Sequence, residues 1–134
     1  MKAQVSFEYM LVFGLAIAFA IPVWIYVTTM QQTAGEELSL SYAKNAANQI
    51  TAVSDLVYTQ GPPAKVILNV YIPSRIEQAN LTNTSVIFKL HTSSGYSDVF
   101  SSSSANMTGI VPSSEGMYRI SIESKGSYVQ IGAV

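Results

Sequence analysis

The carboxylate of Glu8 is the only formal charge between Lys2 and Glu36, and it stands at the mouth of a long apolar run. From Tyr9 to Met30 the chain reads YMLVFGLAIAFAIPVWIYVTTM, longer than the roughly 20 residues a helix needs to cross a bilayer. Carrying a carboxylate to the centre of such a helix costs about 2.5–3.5 kcal/mol, so the group persists where a partner neutralises it. Lys2 is the only basic residue before Lys44. The natural partner is a free α-amino group, ammonium at neutral pH, brought by a neighbouring copy of the chain. The chemistry is therefore ion pairing in an apolar setting rather than bond making.

The other reactive side chains form no catalytic set. His91 is the only histidine, falls on the polar face of an expected strand and has no carboxylate or thiol near it in sequence. The serines are numerous, but none sits in a nucleophile elbow. Glu36-Glu37 reads as a solvated helix turn, there is no glycine-rich phosphate loop, and the absence of cysteine removes disulfides and thiolate metal sites. No catalytic residue, metal site or cofactor is expected, and the chain is not expected to be an enzyme. Three Asn-x-Ser/Thr sequons, at Asn80, Asn83 and Asn106, are candidate glycan acceptors if the chain is exported.

The elements that carry these residues divide at the end of the apolar run. Only 11% of the 134 residues are charged while 49% are hydrophobic, which leaves a good share of the surface to be covered by neighbours. A net charge of −1 with no basic block gives no electrostatic footprint for nucleic acid. Lys2 before the run and Glu36-Glu37 after it place the N-terminus in the cytoplasm and the remainder outside. From Glu36 to Val57, apolar residues at Leu38, Tyr42, Ala46, Ile50, Val53 and Val57 follow the three- and four-residue step of one helix face. A helix from Val5 to Val57 would extend roughly 80 Å. Its first half needs lipid or other subunits for cover, and its second half lays the stripe on its own C-terminal domain. Pro22 removes a donor and crowds the preceding turn, predicting a kink or local melting over 18–22. Gly14, Ala16, Ala18 and Ala20 would let helices approach closely.

Gly61-Pro62-Pro63 predicts the helix end near Tyr58. Beyond it, Val66, Leu68, Val70 and Ile72 alternate with polar or outward positions, as do Val86, Phe88 and Leu90, and Tyr118, Ile120 and Ile122. Shorter strands are expected around 98–101 and 107–111, and a last one over 128–134. Five or six strands with period-2 alternation predict a small antiparallel sandwich. Ser101 to Ser104 reads as a polar, mobile loop tip.

Gln4-Val5-Ser6-Phe7-Glu8, running straight into the apolar helix, resembles the class III signal peptide of archaeal type IV pilin-like proteins. The resemblance implies a leader, residues 1–3, removed by a prepilin peptidase between Ala3 and Gln4, so that Glu8 becomes the fifth mature residue and pairs with the new amino terminus of an adjacent subunit. It assigns assembly roles to Gln4, Glu8 and Pro22. It implies an α+β chain: a long helix over 4–60, apolar over 9–30 and amphipathic over 36–57, then an Ig-like β-sandwich over 64–134. The expected function is that of a structural subunit of an extracellular filament, serving surface or cell adhesion, homopolymeric and extruded by an assembly ATPase and a membrane platform protein. The precursor resides in the cell membrane. The alternatives are a non-polymerising minor pilin, an anchored envelope-binding or stator-like component, a plain single-pass anchor, or a secretory signal with Ala18-Phe19-Ala20 as its cleavage site.

Overall fold

The computed structural model describes all residues from Met1 to Val134. They group into two compact units, Met1–Glu36 and Glu37–Val134, the division falling one residue past Gly35. A single helix, α1 (Lys2–Gln60), supplies the whole of the first unit beyond Met1 and opens the second. The helix runs through Pro22 without interruption, so the expected melting over 18–22 does not occur. Proline's fixed φ is itself helical, and the one backbone donor it lacks leaves the flanking bonds of a 59-residue helix in place. The helix ends two residues later than expected. Gly61, at φ 72°, donates its N–H to the carbonyls of Val57 and Tyr58 at 3.1 and 3.2 Å, an αL cap that glycine adopts without steric cost. Pro62 and Pro63 then turn the chain away from the helix.

In the second unit α1 buries Ser39, Ala43, Ala46, Ala47, Ile50, Thr51, Ser54 and Val57. This stripe departs from the expected one at its start, because Leu38 and Tyr42 point outward and small residues take the inner face. The buried hydroxyls are satisfied on the helix itself: Ser54 Oγ donates to Ile50 O at 2.7 Å and Thr51 Oγ1 to Ala47 O at 3.1 Å.

Seven strands follow rather than five or six: β1 (Lys65–Ile72), β2 (Ile76–Leu81), β3 (Ser85–Thr92), β4 (Gly95–Ser102), β5 (Met107–Gly109), β6 (Gly116–Ser124) and β7 (Val129–Ala133). They make a four-stranded sheet in the order β1-β6-β7-β5 and a three-stranded sheet in the order β2-β3-β4. All pairings are antiparallel except β5 with β7, which is parallel and corrects the expectation of an all-antiparallel arrangement. The strand that escapes sequence reading is β2, whose IEQANL carries a register irregularity between Ile76 and Gln78 and little alternation.

The alternation read in β1, β3 and β6 does set their inward faces: Val70 and Ile72, Val86, Phe88 and Leu90, and Ile120 and Ile122 are all buried. Together with Val129, Ile131 and the inner face of α1 they form one hydrophobic core. The helix meets a terminal strand of each sheet. Tyr42 stacks edge-on against Tyr71 of β1, and Thr51 Oγ1 lies 2.8 Å from Ser101 Oγ of β4. At β5 and β2 the sheets approach each other, and Met107 N–H donates to Asn83 O at 2.6 Å.

Candidate functional site

The residues singled out for assembly all lie on the first unit. Ala3 and Gln4 sit inside the first turns of α1, and Val5 N–H bonds to Met1 O at 3.3 Å. Glu8 has Val5, Tyr9 and Val12 around it and makes no ion pair or hydrogen bond within the chain. The apolar run offers its side chains outward on every side of the helix: Phe13 is 68% exposed, Phe19 70% and Trp24 73%. Pro22 is exposed as well. The helix is long and apolar enough to cross a membrane.

Area puts a scale on this exposure. The chain presents 8875 Å² to solvent, against about 6,900 Å² for a compact monomer of its mass. The surplus of about 2,000 Å² exceeds the roughly 800 Å² that each partner contributes to a stable protein–protein interface. An exposed run of this length and apolarity suits insertion in a membrane or a signal sequence.

The second unit places the remaining candidates. His91 lies exposed on β3, edge-on to Tyr96 at 5.5 Å between ring centres, while Lys89 Nζ sits 4.8 Å from the centre of the same ring. These are packing contacts, and no carboxylate orients the imidazole. No group of three or more histidine, aspartate or glutamate side chains converges in a metal-binding arrangement. A groove of about 390 Å³ lies along Gly109, Ile110, Pro112 and β7, with no titratable or nucleophilic side chain in its lining.

The three sequons gather at one end of this unit. Asn80 projects from β2, Asn83 occupies the β2–β3 turn, and Asn106 precedes β5; all three are exposed. The Met107–Asn83 backbone bond sets the last two beside each other.

One polar centre is absent from the sequence-derived set. Asp55, near the end of α1, accepts hydrogen bonds at Oδ1 from Ser103 Oγ (2.6 Å), Ser104 N–H (2.9 Å) and Ser104 Oγ (3.0 Å). Ser103 Oγ in turn accepts from Ala105 N–H at 3.1 Å. The segment expected to be a mobile tip is thus pinned: Ser101 and Ser102 belong to β4, and Ser103 is buried. Partial burial works to raise the Asp55 pKa, but the donors of Ser103, Ser104 and Ala105 together outweigh it and hold the carboxyl below its ordinary value. A sequence signal did exist. An acid in the C-terminal turns of a helix faces the unfavourable end of the macrodipole, so its position asks for donors from elsewhere.

Compared with known protein families, with characterised proteins and with solved structures, the chain finds no match in any of the three.

Proposed function

We propose that this chain is a structural subunit of an archaeal type IV pilus-like extracellular filament, inserted in the membrane as a precursor and polymerised through its N-terminal helix. The observation that carries the reading is the uncovered run 9–30 with one carboxylate, Glu8, at its mouth, joined to a unit that completes a core of its own. The two sheets, each burying one face, suit an Ig-like β-sandwich head, and the sequon-bearing end suits a hydrated outer coat that adheres to surfaces or cells. The chain's role is mechanical rather than catalytic.

The mechanism rests on an exchange of solvents. Moving an apolar helix from lipid into a bundle of like helices removes little surface from water, so close packing must hold the bundle. Gly14, with no atom of another element within 4 Å, leaves room for such an approach. Pairing of Glu8 with the ammonium of a neighbour's new N-terminus supplies register, because an unpaired carboxylate among apolar helices is costly. A prepilin peptidase acting between Ala3 and Gln4 must open a helical turn. That turn is the cheapest in the helix, since its first four N–H groups have no partners within it. Extrusion falls to an assembly ATPase and a membrane platform protein.

Two measurements test the reading. The N-terminal peptide of native material should begin at Gln4, and Glu8→Ala should abolish filaments in electron micrographs while the protein still reaches the membrane. Single molecules that retain Met1, with Glu8 freely replaceable, would leave an anchored, non-polymerising component as the function.

A further inference from the structure

The outward face of the β2-β3-β4 sheet sets an exposed aromatic ring beside one of the three sequons. Asn80 of β2 is the register partner of Ile87 on β3, and Ile87 is the register partner of Phe100 on β4. Their chain neighbours Ala79, Leu81, Val86, Phe88 and Val99 turn to the core, so the three side chains of this row point away from it. Phe100 is 67% exposed, Ile87 is half-buried and Asn80 is exposed. Strands spaced about 4.8 Å apart put Asn80 about 10 Å from Phe100 across the sheet. The rows on either side are polar. Ser85 and Ser102 share a 3.2 Å hydrogen bond on one side, and Gln78, Lys89 and Asp98 line up on the other, with His91 and Tyr96 beyond them.

The composition of these rows selects what can cover the ring. An exposed phenylalanine beside an aliphatic side chain favours removal from water. The charges that border the row are of both signs: Lys89 stands opposite Asp98, and Lys44 of α1 lines a pocket of about 280 Å³ with Asp98 and Phe100. Neither a polyanion nor a polycation is favoured by such a mixture. An apolar face edged by hydroxyls is favoured, which is the chemistry of a sugar ring. Its C–H groups meet the negative face of an aromatic ring, and its hydroxyls exchange hydrogen bonds with serine, glutamine, lysine and aspartate. Asn80-Leu81-Thr82 gives such a ligand a point of covalent attachment in the same row. Attachment so near makes the contact intramolecular, at an effective concentration that a free partner does not reach. Asn83 and Asn106 lie in the connections between strands, off this face.

We propose that Asn80 carries an N-linked glycan whose first sugars lie across Ile87 and stack on Phe100, making this sheet face a seat for the chain's own glycan. In the attachment step Asn80 Nδ2 bonds the anomeric carbon of a sugar held as a lipid-linked phosphate ester. The C–O bond to phosphate breaks, the phosphate leaves with the electron pair, and one amide proton passes to a base. The inference rests on export of the second unit, as the filament reading requires, and it sets Asn80 apart from the other two sequons. A glycan held in this way stabilises the folded unit, because the unfolded chain carries the same sugars without the contact.

Full-length native protein with its glycans in place tests the seat. Glycopeptide mass spectrometry should find Asn80 occupied. Hydroxyl-radical footprinting should oxidise Phe100 several-fold more in Asn80→Gln and in Thr82→Ala than in the parent, whereas Asn83→Gln and Asn106→Gln should leave it protected. Phe100→Ala should lower the melting temperature of the glycosylated chain by about 4–8 °C more than it lowers that of the Asn80→Gln chain. A bare Asn80, or a Phe100 oxidised alike with and without that glycan, overturns the inference even where filaments form. If a membrane-impermeant amine reagent fails to label the exposed Lys125 on intact cells, the export reading falls and takes the inference with it.

Discussion

Replacing Asp55 by alanine removes the one side chain that ties the β4–β5 connection to α1, and the cost follows from the geometry. Ser103 is only 7% exposed, so its hydroxyl proton loses its 2.6 Å acceptor where water enters poorly. A buried donor left without a partner costs about 1–3 kcal/mol. The N–H and hydroxyl of Ser104 are exposed and turn to water, adding about 0.5 kcal/mol between them. The sum, about 1.5–3.5 kcal/mol, corresponds to a fall in melting temperature of about 6–28 °C for a unit of this size. Asp55→Asn keeps an acceptor but loses the charge, which makes each bond roughly half as strong, so it should cost about 1 kcal/mol. Acid should reproduce the loss. The folded carboxyl titrates below its ordinary value of 3.8, so the folded state binds fewer protons than the unfolded one as pH drops through this range. The stabilisation is therefore complete above the unfolded value and disappears as pH falls through the folded one. Calorimetry of the full-length chain in detergent between pH 6 and pH 3 reads the energy, and hydrogen exchange at the Ser104 and Ala105 amides reads the site. An Asp55→Ala melting temperature within 2 °C of the parent, or an Asp55→Asn acid limb identical to it, would refute the reasoning. Glu123 also titrates low, through its 2.6 Å hydrogen bond from Lys125, but both groups are solvated and Glu123→Gln serves as the control.

Three further outcomes are expected. Gly109 has φ 135°, and a Cβ built there would lie 1.8 Å from Ile131 O, so Gly109→Ala should break the parallel β5–β7 pairing and cost about 2–4 kcal/mol, read by thermal unfolding. If the exposed sequons are occupied, Asn80→Gln, Asn83→Gln and Asn106→Gln should each reduce the intact mass of native protein by one glycan, and an unchanged mass excludes that site. Because α1 buries no residue before Ser39, a fragment beginning at Glu37 should fold, with a melting temperature within about 5 °C of the full-length protein's second unit; an unfolded or aggregated fragment would show that residues 1–36 contribute to that core.

The legible parts of the fold are those where one period dominates. In β1, β3 and β6 large aliphatic or aromatic side chains recur at every second position, and those positions turn inward, Val70, Ile72, Val86, Phe88, Leu90, Ile120 and Ile122 being buried and Val66, Leu68 and Tyr118 partly so. The apolar run announces itself in the same way, as an uncharged stretch long enough to span a bilayer, and its side chains are exposed. Reading fails where burial is achieved by small or polar residues. Hydrophobicity selected Leu38 and Tyr42 as the inner face of α1, yet the buried positions are Ser39 and Ala43. Strand β2 hides because the irregularity between Ile76 and Gln78 puts Glu77 and Gln78 both toward water and breaks the alternation of Ile76, Ala79 and Leu81. The serine run misled for a related reason: serine builds no core, but a carboxylate 48 residues upstream gives its hydroxyls a fixed partner. Contacts of that span have no local signature. The assembly residues stand apart from all of these, since Glu8 has no partner inside the chain and its role comes from chemistry that a neighbour must complete.

That division has a consequence for how such a molecule survives the journey from membrane to filament. The buried residues that α1 gives to the second unit begin at Ser39, and that unit completes a hydrophobic core from its own residues. The apolar run, conversely, gains its stability from whatever solvent it occupies, and lipid and a helix bundle differ little in apolar character. A subunit can then change surroundings without unfolding its head, and the free-energy difference that decides between membrane and polymer is small enough to be set by a few specific contacts. Glu8 at the mouth of the run is where such a contact should lie, because an unpaired carboxylate penalises a wrong register. A chain built this way is sensitive to substitution of Glu8 and tolerant of conservative apolar exchange within residues 9–30.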